Sequence, residues 1–268
     1  MAGAPNPSLF SMAGRACLVT GASMSIGRAL AEAFADHGAA VAVHHCDAAD
    51  RALGLPDAAA ETVLAITDRG GRAVAIEADL ADTDGPCRAF DAASAALGRI
   101  DVLVVCASIQ TRVPFAEVTT AQLEREMRVN LAATIQLLQL AVPPMRVRRW
   151  GRVLTIGSIN QVRPEPGLAT YAALKAAQFN LVVNLAAQCV RDNVMINNLS
   201  PGIVETERNR WRRGNAAEWH AIEEAAAPRI GRAAQPAEIV GPALLLCSEA
   251  GSYITGIDLM VTAGAHLP

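Results

Sequence analysis

Three observations predict an α/β protein with a single doubly wound domain, a mostly parallel central sheet flanked by helices. Short apolar runs alternate with helical segments of roughly 10 to 20 residues, the pattern of βαβ units with right-handed crossovers. The first apolar run stops at a glycine-containing turn that opens a helix. Hydrophobic residues make up 52% of the chain and aromatic residues only 4%, a mix suited to buried strands packed between Ala-rich helices.

The elements follow in order. Ala16-Cys17-Leu18-Val19-Thr20 is a buried strand ending at Gly21. Residues 26–37 have helical spacing, with Ile26, Leu30, Ala33 and Phe34 on one face and Gly38 as the stop. Val41-Ala42-Val43 is the second strand. Helices are then expected at 58–69, 84–97, 120–141, 170–190 and 236–247. They alternate with strands at Ala73–Glu77, Asp101–Cys106, Arg152–Ile156, Met195–Leu199 and Asp258–Val261. Residues 1–13 carry Gly and Pro and read as a flexible leader to one domain over 14–268. Two stretches break the alternation. Residues 47–56 are longer than a tight turn requires, and 203–235 read as an irregular lid.

The bulk properties exclude several classes. A net charge of -3 without a basic cluster argues against a nucleic-acid partner. No apolar run is long enough for a membrane span, and no signal-peptide pattern is evident, so a cytoplasmic location is expected. The six cysteines contain no C-x-x-C pair and read as free thiols, with no metal site.

Three motifs carry chemistry. Small residues in Thr20-Gly21-Ala22-Ser23-Met24-Ser25-Ile26-Gly27 let backbone approach a pyrophosphate at a helix N-terminus. Tyr171 and Lys175 sit at i, i+4 on one helical face, where an ammonium lowers a phenol's pKa toward usable acid/base chemistry. Ser158 lies just past a strand's carboxyl end, where parallel sheets bind ligands. A plain tight turn, a chance surface pair and a strand-end cap would each explain one of these.

Taken together, in type, order and spacing, they resemble the Rossmann-type short-chain dehydrogenase/reductase family over roughly residues 14–265. The turn resembles the family's T-G-x-x-x-G-x-G, with Ser25 in place of the middle glycine; a positive φ there would cost about 1 kcal/mol. The resemblance implies hydride exchange between a nicotinamide cofactor and a secondary alcohol or carbonyl. Ser158 would hold the substrate oxygen and Tyr171 would transfer the proton. Lys175 would tune Tyr171 and bind ribose, and the Asn130 backbone would position a relay water. It also implies cofactor contacts from Gly21, Ser23, Ser25, Ile26, Gly27, Asp79, Leu80, Ala107, Tyr171, Lys175, Pro201, Gly202, Val204 and Thr206. The family's N-N-A-G segment is replaced by Val105-Cys106-Ala107-Ser108, and its D-G-G by Thr262-Ala263-Gly264. Altered packing with intact chemistry is expected at the first.

Neither the NAD nor the NADP signature stands at the second strand's end. Asp47 is close enough to reach a ribose, which leans toward NAD, while His44, His45 or Arg51 could instead meet the NADP phosphate. Asn160 and Gln161 after Ser158 are expected to bind substrate with Ser158 and Tyr171, leaning to a sugar, polyol or sugar acid. Arg208, Arg210, Arg212 and Arg213 flank Trp211 in the lid and either meet an anionic substrate or pair with Glu205, Glu207 and Glu218. An NADPH-dependent reductase of 3-oxoacyl thioesters and a non-enzymatic dinucleotide-binding sensor are the rival readings. A homotetramer or homodimer is expected by resemblance.

Overall fold

The computed structural model describes residues 8–268; residues 1–7 of the expected leader lie outside them. The chain runs β1 (Ala16–Val19), α1 (Ser25–Asp36), β2 (Ala40–His45), α2 (Asp47–Ala52), α3 (Ala58–Thr67), β3 (Arg72–Glu77), α4 (Gly85–Leu97) and β4 (Val102–Val105). It continues α5 (Thr120–Met127), α6 (Ala133–Arg148), β5 (Gly151–Ile156), α7 (Ala169–Cys189), β6 (Val194–Pro201), α8 (Ala216–Ala226), α9 (Val240–Cys247) and β7 (Asp258–Val261). The strands form one seven-stranded sheet in the order β3-β2-β1-β4-β5-β6-β7, with every neighbouring pair parallel. This is a single Rossmann-like domain.

Alternation along the strands feeds two cores. Cys17 and Val19 of β1 join Leu30 and Phe34 of α1 and Leu246 of α9 in one apolar cluster. Leu18 joins Ala93, Leu137, Met145 and Val182 of α4, α6 and α7 in another. Burial on both faces is why β1 and β4 are continuous apolar runs rather than alternating ones, while β5 and β6, equally buried, also carry polar residues such as Arg152, Asn197 and Asn198.

Four regions differ from the expectation. Met12, assigned to the leader, is only 1% exposed in the core, and its N–H donates to His37 O at 2.9 Å. The 47–56 stretch contains α2, which buries Asp50. The single helix expected over 120–141 is two, joined by a π-helical turn at Arg128–Ala132. There the Asn130 amide pairs with both backbone groups of Ile109, at 2.9 and 2.8 Å. α6 then runs on through Pro143 and Pro144, whose neighbours Val142 and Met145 are buried.

The fourth is the lid, which has regular structure of its own. A 3-10 turn at Glu207–Gly214 starts with a Thr206–Asn209 capping box. α8 starts with Asn215 accepting from Ala217 N and Glu218 N. A bridge between Val204 and Ala234 closes its base.

Candidate active site

A cleft of about 980 Å³ opens at the carboxyl ends of the strands. It lies where the order reverses, between β1 and β4. A second hollow, about 570 Å³, lies at the opposite ends around Gly14, Gly38 and Gly71 and holds none of the candidate residues.

The turn after β1 is shaped by what its glycines exclude. A Cβ on Gly21 would meet Ala107 Cα at 2.9 Å, and one on Gly27 would meet Gly21 O at 2.0 Å. Ser25 does adopt φ +53°. Its hydroxyl accepts from the lid's Glu207 N at 3.0 Å. His44 holds the turn from below: Nδ1 accepts from Gly21 N at 3.1 Å, which leaves Nε2 to donate to Ala78 O at 3.1 Å. Burial lowers its pKa from 6.5 to about 4, so the ring is neutral. That environment removes His44 from the candidate phosphate partners.

Asp50, to which the sequence assigns no role, stands where Asp47 is expected. Asp47 is turned outward, paired with Arg51 at 2.7 Å and His45 at 3.3 Å, and does not line the cleft. Asp50, three residues later on α2, lines it and is 4% exposed. Its Oδ1 accepts from Ser23 Oγ at 3.1 Å, while Oδ2 is buried without a hydrogen-bond partner. Burial raises its pKa, opposed by the Ser23 hydroxyl. Nothing in the local sequence separates Asp50 from Asp47; the helix that turns it inward does.

Ser23, Ile26, Asp79, Leu80, Ala107, Pro201, Gly202, Val204 and Thr206 also line the cleft. So do Ser158, at the end of β5, and Tyr171, in the first turn of α7. Burial raises the Tyr171 pKa above that of an ordinary phenol. The Arg208 charge opposes the rise most, followed by hydrogen bonds from Ser158, Ser108 and Arg208. Lys175 was expected to supply that charge. Instead its Nζ donates to Ile156 O at 2.6 Å and Gln178 Oε1 at 3.1 Å, 5.8 Å from the Tyr171 ring centroid. It is 2% exposed, does not line the cleft, and burial lowers its pKa from 10.5 to about 7. Asn130 lies in the same inner layer: Thr134 Oγ donates to its main-chain O at 3.0 Å, and Gln178 Nε2 donates to Thr134 Oγ at 3.4 Å.

At the other end, Asn160 lines the cleft and donates to Glu165 Oε2 at 3.2 Å. Gln161 does not. It turns back to the Asp258 carboxylate, which also accepts from Asn198 and Ser200 at 2.7 Å each, so it belongs to the sheet's polar interior. The lid arginines divide. Arg210 pairs with Glu207 at 2.6 Å and Arg213 with Glu205 at 3.0 Å. Arg208 and Arg212 line the cleft. The altered segment after β4 now has a role in this arrangement, since Arg208 Nη2 donates to Ser108 O at 2.6 Å and Ser108 Oγ at 3.2 Å. Chemically, the site offers a buried phenol with hydroxyl and guanidinium donors around its oxygen, beside a glycine-lined helix N-terminus.

The family described as "Enoyl-(Acyl carrier protein) reductase" matches residues 21–266. The chain is 31% identical over 251 residues to the 7alpha-hydroxysteroid dehydrogenase of Escherichia coli, covering 94% of each. Among solved structures, it is 38% identical to a 3-oxoacyl (acyl-carrier-protein) reductase from Agrobacterium tumefaciens with NADP bound, at TM-score 0.89 and 96% coverage of both chains. It is 31% identical to a gluconate 5-dehydrogenase from Burkholderia cenocepacia in complex with NADP and tartrate, at TM-score 0.85, covering 96% of this chain and 97% of that one.

Proposed function

The chain belongs to the short-chain dehydrogenase/reductase family and is an oxidoreductase acting on alcohol or carbonyl groups, and we propose that Ser158 and Tyr171 carry its chemistry on a sugar, polyol or sugar-acid substrate. The observation that carries this reading is that the buried Tyr171 and Ser158 line one cleft with the glycine turn after β1.

The residues present fit NAD or NADP. Gly21 and Gly27 let the turn after β1 pack tightly on Ala107 and on itself, and that turn lines the cleft at the N-terminus of α1. When bound, the cofactor supplies the hydride acceptor: an alcohol and the oxidised form give a carbonyl, the reduced form and one proton. Ser158 donates to the substrate oxygen and steadies its developing charge. Tyr171 takes the hydroxyl proton in oxidation and returns it in reduction. Lys175, buried behind Tyr171, would tune the phenol and hold the nicotinamide ribose, and the Asn130 main chain would hold the relay water. Asp50, not Asp47, would accept from the adenosine ribose hydroxyls, and its charge would disfavour a 2′-phosphate, which favours NAD.

Tyr171→Phe is expected to lower kcat by about 10²- to 10⁴-fold while cofactor binding, followed by nicotinamide fluorescence, survives. Near-normal turnover would sink the assignment. The NADP-bound relative at 38% identity favours a second reading, an NADPH-dependent 3-oxoacyl-thioester reductase. Rapid NADPH oxidation with an acetoacetyl thioester would select it. Exposed helix faces suit a homodimer or homotetramer, and among the described residues no helix is long and apolar enough to cross a membrane.

A further inference from the structure

The substrate half of the cleft contains more guanidinium than carboxylate. Two of its arginines are already engaged. Arg112 pairs with Glu165 at 2.5 Å, and Arg163 donates to the carbonyls of Ala225, Ala226 and Ala265. Arg208 is different. Like Arg163 it has no carboxylate partner among the described residues, but only its Nη2 is engaged, by the two neutral oxygens of Ser108. Neutral acceptors fix a guanidinium in place without cancelling its charge. A guanidinium has five N–H donors, more than these partners use.

Its position is equally specific. Arg208 reaches down from the lid's 3-10 turn into the cleft that Ser158 and Tyr171 also line, and its charge acts on the Tyr171 phenol. A substrate oxygen held by Ser158 and Tyr171 therefore has a fixed, uncompensated positive group beside it. Ser108 creates that arrangement: its hydroxyl and carbonyl are the two acceptors that anchor Nη2. Arg212, on the same lid turn, is a further cleft-lining cation without a carboxylate partner among the described residues, 5.9 Å from the exposed Trp211 ring.

We propose that Arg208, anchored by Ser108, binds a carboxylate carried by the substrate close to its reacting carbon, so that hydroxy acids and their keto counterparts are preferred over neutral alcohols. A planar carboxylate matches the guanidinium fork and forms charge-assisted bonds about twice as strong as neutral ones. The inference rests on the alcohol–carbonyl reading above and narrows its substrate class.

The test uses acid–neutral pairs that share a secondary hydroxyl: gluconate with sorbitol, lactate with isopropanol, tartrate with threitol. Initial rates are measured with NAD and NADP for the intact protein, Arg208→Gln and Arg208→Lys. The native protein should favour the acid in each pair it turns over. Arg208→Gln should cut the acid-to-neutral ratio of kcat/KM by about 10- to 100-fold, mainly through KM, and Arg208→Lys should restore part of it. Equal losses on both members, with the basic limb of the pH profile displaced, would assign Arg208 to Tyr171 and overturn the proposal. Preference for the neutral member, or turnover of acyl thioesters alone, overturns it too but leaves the alcohol–carbonyl reading standing. Cofactor binding without turnover of any alcohol, ketone or thioester would overturn both.

Discussion

His44 connects an ordinary pKa argument to the cofactor turn. Its Nδ1 must be unprotonated to accept from Gly21 N, and burial holds its pKa at about 4 against an unfolded value near 6.5. The folded pKa is depressed, so between pH 4 and 6.5 the unfolded chain binds more protons and stability rises with pH. The contribution is full above about 6.5 and is lost as pH falls through 4, a span on the order of 3 kcal/mol. His44→Gln keeps an acceptor and a donor but cannot titrate. Thermal melts between pH 4 and 6.5 should show a flatter acid decline in that variant; an unchanged slope counts against the reading. Asp50 carries the matching cofactor test. Asp50→Asn should raise the NADP-to-NAD ratio of kcat/KM by about 10-fold or more, and no change would remove Asp50 from cofactor choice. Neither residue could be assigned from the sequence. His44 was one polar residue at a strand end and Asp50 one acid in an apparent loop; both acquire their environment from residues more than 20 positions away. Ser158, Tyr171 and the glycine turn were legible because their spacing is local and their chemistry needs those residue types.

The lid is the element whose character the sequence least revealed. Its Arg, Asn and Glu content lacks a long apolar period, yet capping by Thr206 and Asn215 organises two helical turns in succession. A hydroxyl in the cofactor turn ties it down: Ser25 Oγ accepts from Glu207 N. That hydroxyl comes with strain, since Ser25 holds φ +53°, a conformation costing about 1 kcal/mol in a residue with a Cβ. Ser25→Gly relieves the strain and loses a hydrogen bond of similar net worth, about 1 kcal/mol, so its melting temperature should stay close to native. Ser25→Ala keeps the strain and loses the bond, and should melt about 2–4 °C lower. Equal melting of all three proteins would mean that this contact does not hold the lid. The long helix expected at 120–141 failed for a related reason: the break at Arg128–Ala132 is set by Asn130 bonding to Ile109, a contact no helical period encodes.

At the scale of the molecule the fold was legible because the parallel strands are short, mostly apolar runs, and helices on both faces repeat between them. Assembly is a different matter, since it depends on which helix faces remain uncovered. Leu123 and Met127 on α5, Ile135 on α6 and Val183 on α7 are all at least 36% exposed. α5 packs against α7 on one side of the sheet, so these apolar side chains come from elements grouped together. Groups of exposed apolar residues commonly mark association surfaces, and a symmetric pair of subunits would present each residue to the same surface of its partner. Val183, 41% exposed in a 21-residue helix, is a direct probe. Val183→Asp would place a charge on each subunit's face and so two in a two-fold contact, each losing water without gaining a partner. Sedimentation equilibrium should find the native chain as a dimer or tetramer and the variant as a smaller species, with far-UV circular dichroism unchanged. A native monomer, or a variant of native mass, would place the contact elsewhere and leave this face to solvent.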